Sequence, residues 1–439
     1  MFKKILGTVG TRLFNAALSF VAASLNAHYL GAENVGTIYL MIFSVTIIQL
    51  FNNFVGGGAL VYMAPRAGIY RLFVPATVWT LIVTILCTYL LYFLGHISPA
   101  IGLIPEGYFM PVLFLALAIS FTSVNYMLIL GLEKVKAYNY INLIQVTVLF
   151  VILLVFLFGF HVRTVMAYFW SILISYILAW IISFVFLVPA LKPGPMTGMK
   201  KLLGEIFRFG TYIQFANIFQ QLNYRLSLKF VDFFTGRAAV GVLSIGMTLA
   251  EGLWLVSRSI SMVQYSRLSN EMDEKYAVRL TLSFTKITWA ITLAGMIILL
   301  LIPVRFYTAI FGAQFGDVRM VIGSLSVGIV TLSVSMIFSG FFSSINKPYH
   351  NTISSAIGLV FTIGLGFLLV PAWGIAGAGI AATCSYTMAT LYQFVIFIRM
   401  TKLTLRDFLL TKTEIRQLFD EMKKITAQKT PDSVFDKKH

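Results

Sequence analysis

From residue 5 to residue 399 the chain repeats one pattern, about twelve long apolar runs separated by short polar breaks. A membrane-crossing helix needs about 20 consecutive, mostly apolar residues. Runs meeting that length cover 5–30, 36–63, 72–94, 107–131, 137–160, 164–190, 206–233, 238–265, 280–303, 318–344, 349–370 and 374–399. Each reads as a helix, because a lone helix satisfies its own backbone in lipid whereas a strand does not. The expected fold class is therefore an all-α integral membrane protein of about 12 transmembrane helices.

Composition agrees with the pattern. The 439 residues are 59% hydrophobic and 11% charged, with a mean hydropathy of +0.87, outside the range of soluble globular chains. The start, "MFKKILGTVGTRLFNAALSFVAAS", resembles a secretory signal, but Arg12 interrupts the apolar region such a signal requires, so a retained first span is expected.

A net charge of +17 invites a nucleic-acid reading, which the placement of the charges argues against. Connections rich in Lys and Arg alternate with poor ones. Lys3, Lys4, Arg66, Arg71, Lys134, Lys136, Lys192, Lys200, Lys201, Arg267, Lys275, Arg279, Lys347 and the tail after Arg399 fall on one side, and Arg163, Arg237, Arg305 and Arg319 on the other. The positive-inside rule then makes both termini cytoplasmic, as an even span count requires, and the basic side attracts anionic headgroups. Cys87 and Cys384 lie inside expected spans and read as small apolar fillers.

Internal similarity organises the chain further. Gly31, Val35 and Gly36 in "LGAENVGTIYL" align at one offset with Gly236, Val240 and Gly241 in "FTGRAAVGVLSIG", and "KAYN" at Lys136 parallels "KPYH" at Lys347. A duplication of six spans predicts an N-lobe at 1–190, a basic cytoplasmic linker at 191–205, a C-lobe at 206–400 and a cytoplasmic tail at 401–439. Two such lobes bind cargo between them and rock to expose it to alternate sides. Gly56, Gly57 and Gly58, with Pro65 beyond, are candidate bend points, with close helix packing as the plainer reading. In the tail Ile415, Leu418, Phe419, Met422 and Ile425 recur at helical spacing, as in an amphipathic helix on the cytoplasmic membrane face.

The chemistry lies in a polar stripe. Gln214, Asn217, Gln221, Arg225, Lys229 and Asp232 follow one another at spacings of 3, 4, 4, 4 and 3 residues inside one apolar run, which is one helical face. A charge facing lipid costs a few kcal/mol or more, so this face should look inward. Ser244, Thr248, Glu251, Arg258 and Ser261 form a second stripe, Thr8, Arg12, Asn15, Ser19 and Asn26 a third, with Gln49, Asn52, Asn53, Asn142 and Gln145 adding amides. Together they describe a hydrated central cavity. Four cations (Arg12, Arg225, Lys229, Arg258) against Glu251 and the peripheral Asp232 make that cavity suit an anionic cargo, because Arg and Lys are natural partners of phosphate oxygens. The competing reading is that these charges neutralise one another as packing pairs, with Glu251 able to reach Arg225 or Lys229.

The phrases "LGAENVGTIYL", "RFGTYIQFANIFQQLNYRLSLKFVDFFTGRAAVGVLSIGMTLAEGLW" and "LVPAWGIAGAGIAATCSY" resemble bacterial polysaccharide flippases of the O-antigen type, within the multidrug/oligosaccharidyl-lipid/polysaccharide exporter superfamily. The resemblance implies two six-helix lobes in a V around a cationic cavity, moving a polyprenyl-pyrophosphate-linked oligosaccharide from the cytoplasmic to the periplasmic leaflet of a bacterial inner membrane, with other polysaccharide assembly proteins as partners. Arg12, Arg225, Lys229 and Arg258 would hold the pyrophosphate. Asn15, Gln49, Gln214 and Gln221 would face the sugars, with Glu251 and Asp232 in coupling or charge pairing. Family members often carry Asp near the position of Asn223, so a carboxylate role is in doubt there. Lipid II flippases are similar too, but have two additional spans.

Two other classes compete. A drug or cation antiporter of the same superfamily needs a membrane-embedded carboxylate, and Glu251 is the candidate. A membrane glycan polymerase or ligase would need a sizeable external loop with reactive groups, and "GHISPAIGLIPE" and "VRFYTAIFGAQFGD" are short and nearly devoid of them. The five histidines have neither metal-ligand nor triad spacing and no nucleotide loop is present, so no cofactor is expected.

Overall fold

The computed structural model describes residues 2–98, 102–194, 198–268, 274–345 and 347–408, without the side chains of 2–13, 209, 212, 213, 216, 266, 267 and 274. Every described element is a helix. Eight of them are long and apolar enough to cross a membrane, or nine with one bent pair counted as a single span, and the chain is a multi-span helical membrane protein. The tail residues Ile415, Leu418, Phe419, Met422 and Ile425 lie outside the described residues.

The first two expected spans are one element, α1 (Phe2–Asn52), turned sharply at Gly31, whose φ of 80° and ψ of 169° are not helical. Glycine adopts such a φ without the Cβ clash that other residues meet. The turn leaves Ala32 starting a new helical segment, and its N–H donates to Gln314 Oε1 at 2.7 Å. That side chain satisfies a donor which a helix start otherwise leaves open. The second expected span is shorter than its apolar run. Its helix stops at Asn52, and α2 (Gly57–Ala67) begins after a four-residue break at 53–56, so the chain is interrupted just before the glycine run, with Gly57 and Gly58 opening the new helix.

Next come α3 (Ile69–Ile97), α4 (Phe109–Gly131), α5 (Val135–Leu154, ending in a π turn) and α6 (Val165–Leu187). The helix α7 (Met199–Thr235) starts inside the segment expected to be a linker. It is followed by α8 (Arg237–Glu251) and α9 (Trp254–Leu268), which meet at a 43° bend, so the eighth expected span is broken at Glu251. The remainder is α10 (Glu274–Leu301), the short α11 (Val304–Phe311), α12 (Val318–Ser344) and α13 (Tyr349–Thr401). Like α1, α13 joins two expected spans through a non-helical glycine, Gly374, with φ 54° and ψ −129°.

Packing falls into two neighbourhoods joined mainly by α1 on α8. Among the first six helices α4 and α5 pack on α6, and α3 on α4. Beyond them α12 packs on α13, α9 and α10, and α13 on α7. Bulky apolar side chains such as Leu86, Phe93, Ile298, Leu301, Val360, Phe367 and Leu368 point outward and are exposed, as expected of a surface facing lipid tails.

The α1–α8 seam is a backbone contact. A Cβ on Gly36 would lie 1.9 Å from the Arg237 carbonyl oxygen, and one on Gly241 would lie 2.0 Å from that of Ala32. The two glycines that align in the sequence thus face each other, each against the other helix's backbone, and only residues without a side chain permit that approach. At the far end of the same α1 segment, a Cβ on Gly210 of α7 would lie 2.0 Å from the Phe54 carbonyl oxygen. There the Phe54 ring stacks on Phe207 at 5.8 Å.

Candidate functional site

Two cavities share a wall on α7. One, of about 1110 Å³, opens among α7, α9, α12 and α13 and is lined by Gln221, Arg225, Glu251 and Arg258 with amides and serines. The other, of about 750 Å³, lies between α1, α5 and α6 on one side and α7 and α8 on the other. Asn15, Asn142, Gln145, Tyr39, Tyr168 and Tyr176 line it, and so do Arg225 and Glu251.

Arg225 and Glu251 therefore stand on the wall of both. Arg225 Nη1 and Nη2 donate to Glu251 Oε1 and Oε2 at 3.2 and 2.9 Å, a two-pronged pair whose side chains are 34% and 14% exposed. Parallel N–H···O bonds of this kind carry geometric specificity as well as charge. Arg258 lies one cavity wall away, its guanidinium carbon 5.9 Å from the centre of the Trp254 ring, at the outer reach of a cation–π contact. With two cations and one carboxylate the larger cavity has a formal surplus of one positive charge among the described residues.

The remaining members of the expected stripes divide. Asn15 donates from Nδ2 to Asn142 Oδ1 at 2.5 Å, tying α1 to α5 on the smaller cavity. Gln49 donates to Ser120 Oγ at 2.5 Å, and Asn52 to Thr84 and Ser120 at 2.9 and 2.8 Å. Gln49 lines neither cavity and belongs to a polar knot inside the first group of helices. Gln214 is fully buried and likewise lines neither. Lys229 donates to Asp232 Oδ2 at 3.0 Å on the same helix and lies beyond the cavity end of the stripe. The Arg12 side chain is outside the described residues.

Asn223, beside the stripe, is buried and structural in its contacts. Its Oδ1 accepts from the hydroxyls of Thr362 and Ser385, both at 2.6 Å, stitching α7 to both segments of α13. The sequence reading missed a ladder on α12, where Ser335, Ser339 and Ser343 recur every four residues along the larger cavity. Gln393 accepts from Ser335 at 2.6 Å and donates to Ser339 and Asn351 at 3.0 and 3.1 Å. The four-residue spacing was the available signal, but serine in an apolar helix reads equally as packing. No group of three or more His, Cys, Asp or Glu among the described residues could hold a metal ion.

The helical fold is similar to that of several solved membrane proteins. Solved structures similar to the chain include a lipid II flippase, MurJ, in an inward closed conformation, with a TM-score of 0.76 and 15% identity over 98% of this chain and 94% of that one. Another is an inward-facing MATE family multidrug resistance transporter of the MOP superfamily, with a TM-score of 0.70 and 17% identity over 88% and 94%. A point mutant of the Vibrio cholerae MATE transporter VcmN gives 0.62 and 14% over 93% and 98%. No family model matches the chain. In sequence it is 22% identical to an uncharacterized membrane protein, MJ1068, of Methanocaldococcus jannaschii over 264 residues, 57% of this chain and about half (51%) of that relative.

Proposed function

We propose that this protein is a flippase moving a polyprenyl-pyrophosphate-linked oligosaccharide across an inner membrane by alternating access. The observation that carries the reading is Arg225, a guanidinium on the wall of two cavities inside an apolar helical bundle, with Arg258 also lining the larger one. A cation is retained at such depth where it has a partner, and a phosphate suits its fork. The pyrophosphate would sit against Arg225 and Arg258, the sugars against the amide and tyrosine lining of the smaller cavity, and the polyprenyl tail would stay in lipid.

Counting α1 and α13 as two crossings each, and α8 with α9 as one, gives twelve crossings in two sets of six. Both termini then face the cytoplasm, where the basic connections are. Such a carrier needs no cofactor and no catalytic group; membrane lipids and glycan assembly proteins are its expected partners. Glu251 is the one cavity carboxylate among the described residues that would serve a drug or cation antiporter instead, and its pairing with Arg225 argues for charge compensation.

The test is reconstitution into proteoliposomes with both cargoes. Transbilayer movement of a short polyprenyl-pyrophosphate oligosaccharide, without export of ethidium against a proton gradient, supports the flippase. The opposite result assigns the antiporter.

A further inference from the structure

We propose that Glu251 is a resident counter-anion, displaced from Arg225 by the cargo's phosphate, and that its release loosens the joint between α8 and α9. This rests on the anionic cargo proposed above. In the structure the two-pronged end of Arg225 is occupied, one N–H of each terminal nitrogen bonding Glu251. A phosphate that takes those donors must exchange with the carboxylate, and the larger exposure of Arg225, 34% against 14% for Glu251, leaves the guanidinium approachable from the cavities. Once phosphate occupies the fork, Glu251 is an unpaired carboxylate beside an anion, and like-charge repulsion moves it away.

The position of Glu251 makes that movement consequential. It is the last residue of α8, immediately before the 43° bend. On the other side of the bend Trp254 is held firmly. Its Nε1 donates to the Ile329 carbonyl at 3.2 Å, and its ring lies 5.4 Å from Tyr224 and 5.9 Å from Tyr386. The α9 end is thus anchored, while the end of α8 is tied to α7 through the ion pair. α8 is a continuous helix from Arg237 to Glu251. Along it Thr248 hydrogen-bonds Tyr39 of α1 at 2.9 Å, and Gly241 sits in the seam against α1. A shift at Glu251 is therefore delivered by a rigid rod to the α1–α8 contact, beside the smaller cavity that Val35 and Tyr39 line.

The probe is farnesyl pyrophosphate, a short polyprenyl pyrophosphate, titrated by calorimetry onto full-length protein in nanodiscs. Wild type, Glu251→Gln and Arg225→Ala are compared, with thermal melting as the check on folding. Glu251→Gln should bind about tenfold tighter, since one competing charge has been removed, while its maximal rate of glycan-lipid movement falls. Arg225→Ala should lose binding. Glutamine keeps the shape of the side chain and one acceptor oxygen, and a merely structural role for Glu251 would not raise affinity. Unchanged or weaker binding by a folded Glu251→Gln protein overturns the displacement. If wild type binds and Arg225→Ala does not, the anion site survives that result; if wild type does not bind at all, the anionic cargo and the displacement fall together.

Discussion

A single methyl group on Gly241 should force the α1–α8 seam apart. In the structure a Cβ there would sit 2.0 Å from the Ala32 carbonyl oxygen and 2.9 Å from its carbon. Since C···O contacts settle at about 3.3 Å, Gly241→Ala requires the helices to part by about 1.3 Å. The obstacle is backbone on a packed helix, which has no rotamer to escape through. Overpacking of this kind costs about 1–3 kcal/mol; at about 2 kcal/mol the closed seam loses about 30-fold in population relative to an open one. Spin labels at Glu33→Cys and Ala238→Cys, both exposed and flanking the seam, read the spacing by electron–electron resonance once Cys87 and Cys384 are replaced. Gly241→Ala should move the distribution to longer distances, and Gly36→Ala should do the same, because its Cβ would meet the Arg237 oxygen at 1.9 Å. The double variant should add little, since one separation relieves both clashes. Gly364→Ala, where nothing lies within 4 Å, is the control. Unchanged distances in both seam variants would refute the reasoning.

Gly210→Ala should part α7 from the segment before α2, where Phe54 blocks the added methyl, and labels on α2 and the start of α7 would read that shift. Asn223→Leu should lower the melting temperature of the purified protein, because the Thr362 hydroxyl loses its acceptor at about 1–3 kcal/mol, whereas Ser385 keeps the Gly358 carbonyl. Lys229→Met should reduce folded yield by stranding Asp232, and Lys229→Met with Asp232→Leu should restore both yield and transport if that pair is structural. Arg258→Ala should cut glycan-lipid movement at least about tenfold at matched membrane abundance, as expected for loss of a charge-assisted contact.

Much of the helical plan was legible because apolar length is the dominant signal in a membrane. The break at "NNFVGGG" was signalled by its glycines, whereas that at "EGLW" was not, since one glycine in an apolar run reads equally as close packing. The four-residue spacing of the α7 stripe placed Gln221 and Arg225 on one face, and that face lines the larger cavity. Periodicity carries no depth, however, so Gln214 at one end and Lys229 at the other look like cavity residues in the sequence although the cavities reach only the middle of the helix. The partner of Arg225 lay within reach of the sequence because Glu251 is one of very few acids near it. Gly36 and Gly241 were visible as equivalent positions; that equivalents touch each other is a fact of tertiary packing alone.

The most direct measurement is transbilayer movement of a polyprenyl-pyrophosphate oligosaccharide in proteoliposomes, wild type against Arg225→Ala at equal protein. Movement by wild type that is lost in Arg225→Ala is the expected result. Equal movement by both would contradict the anion site at the wall of the two cavities.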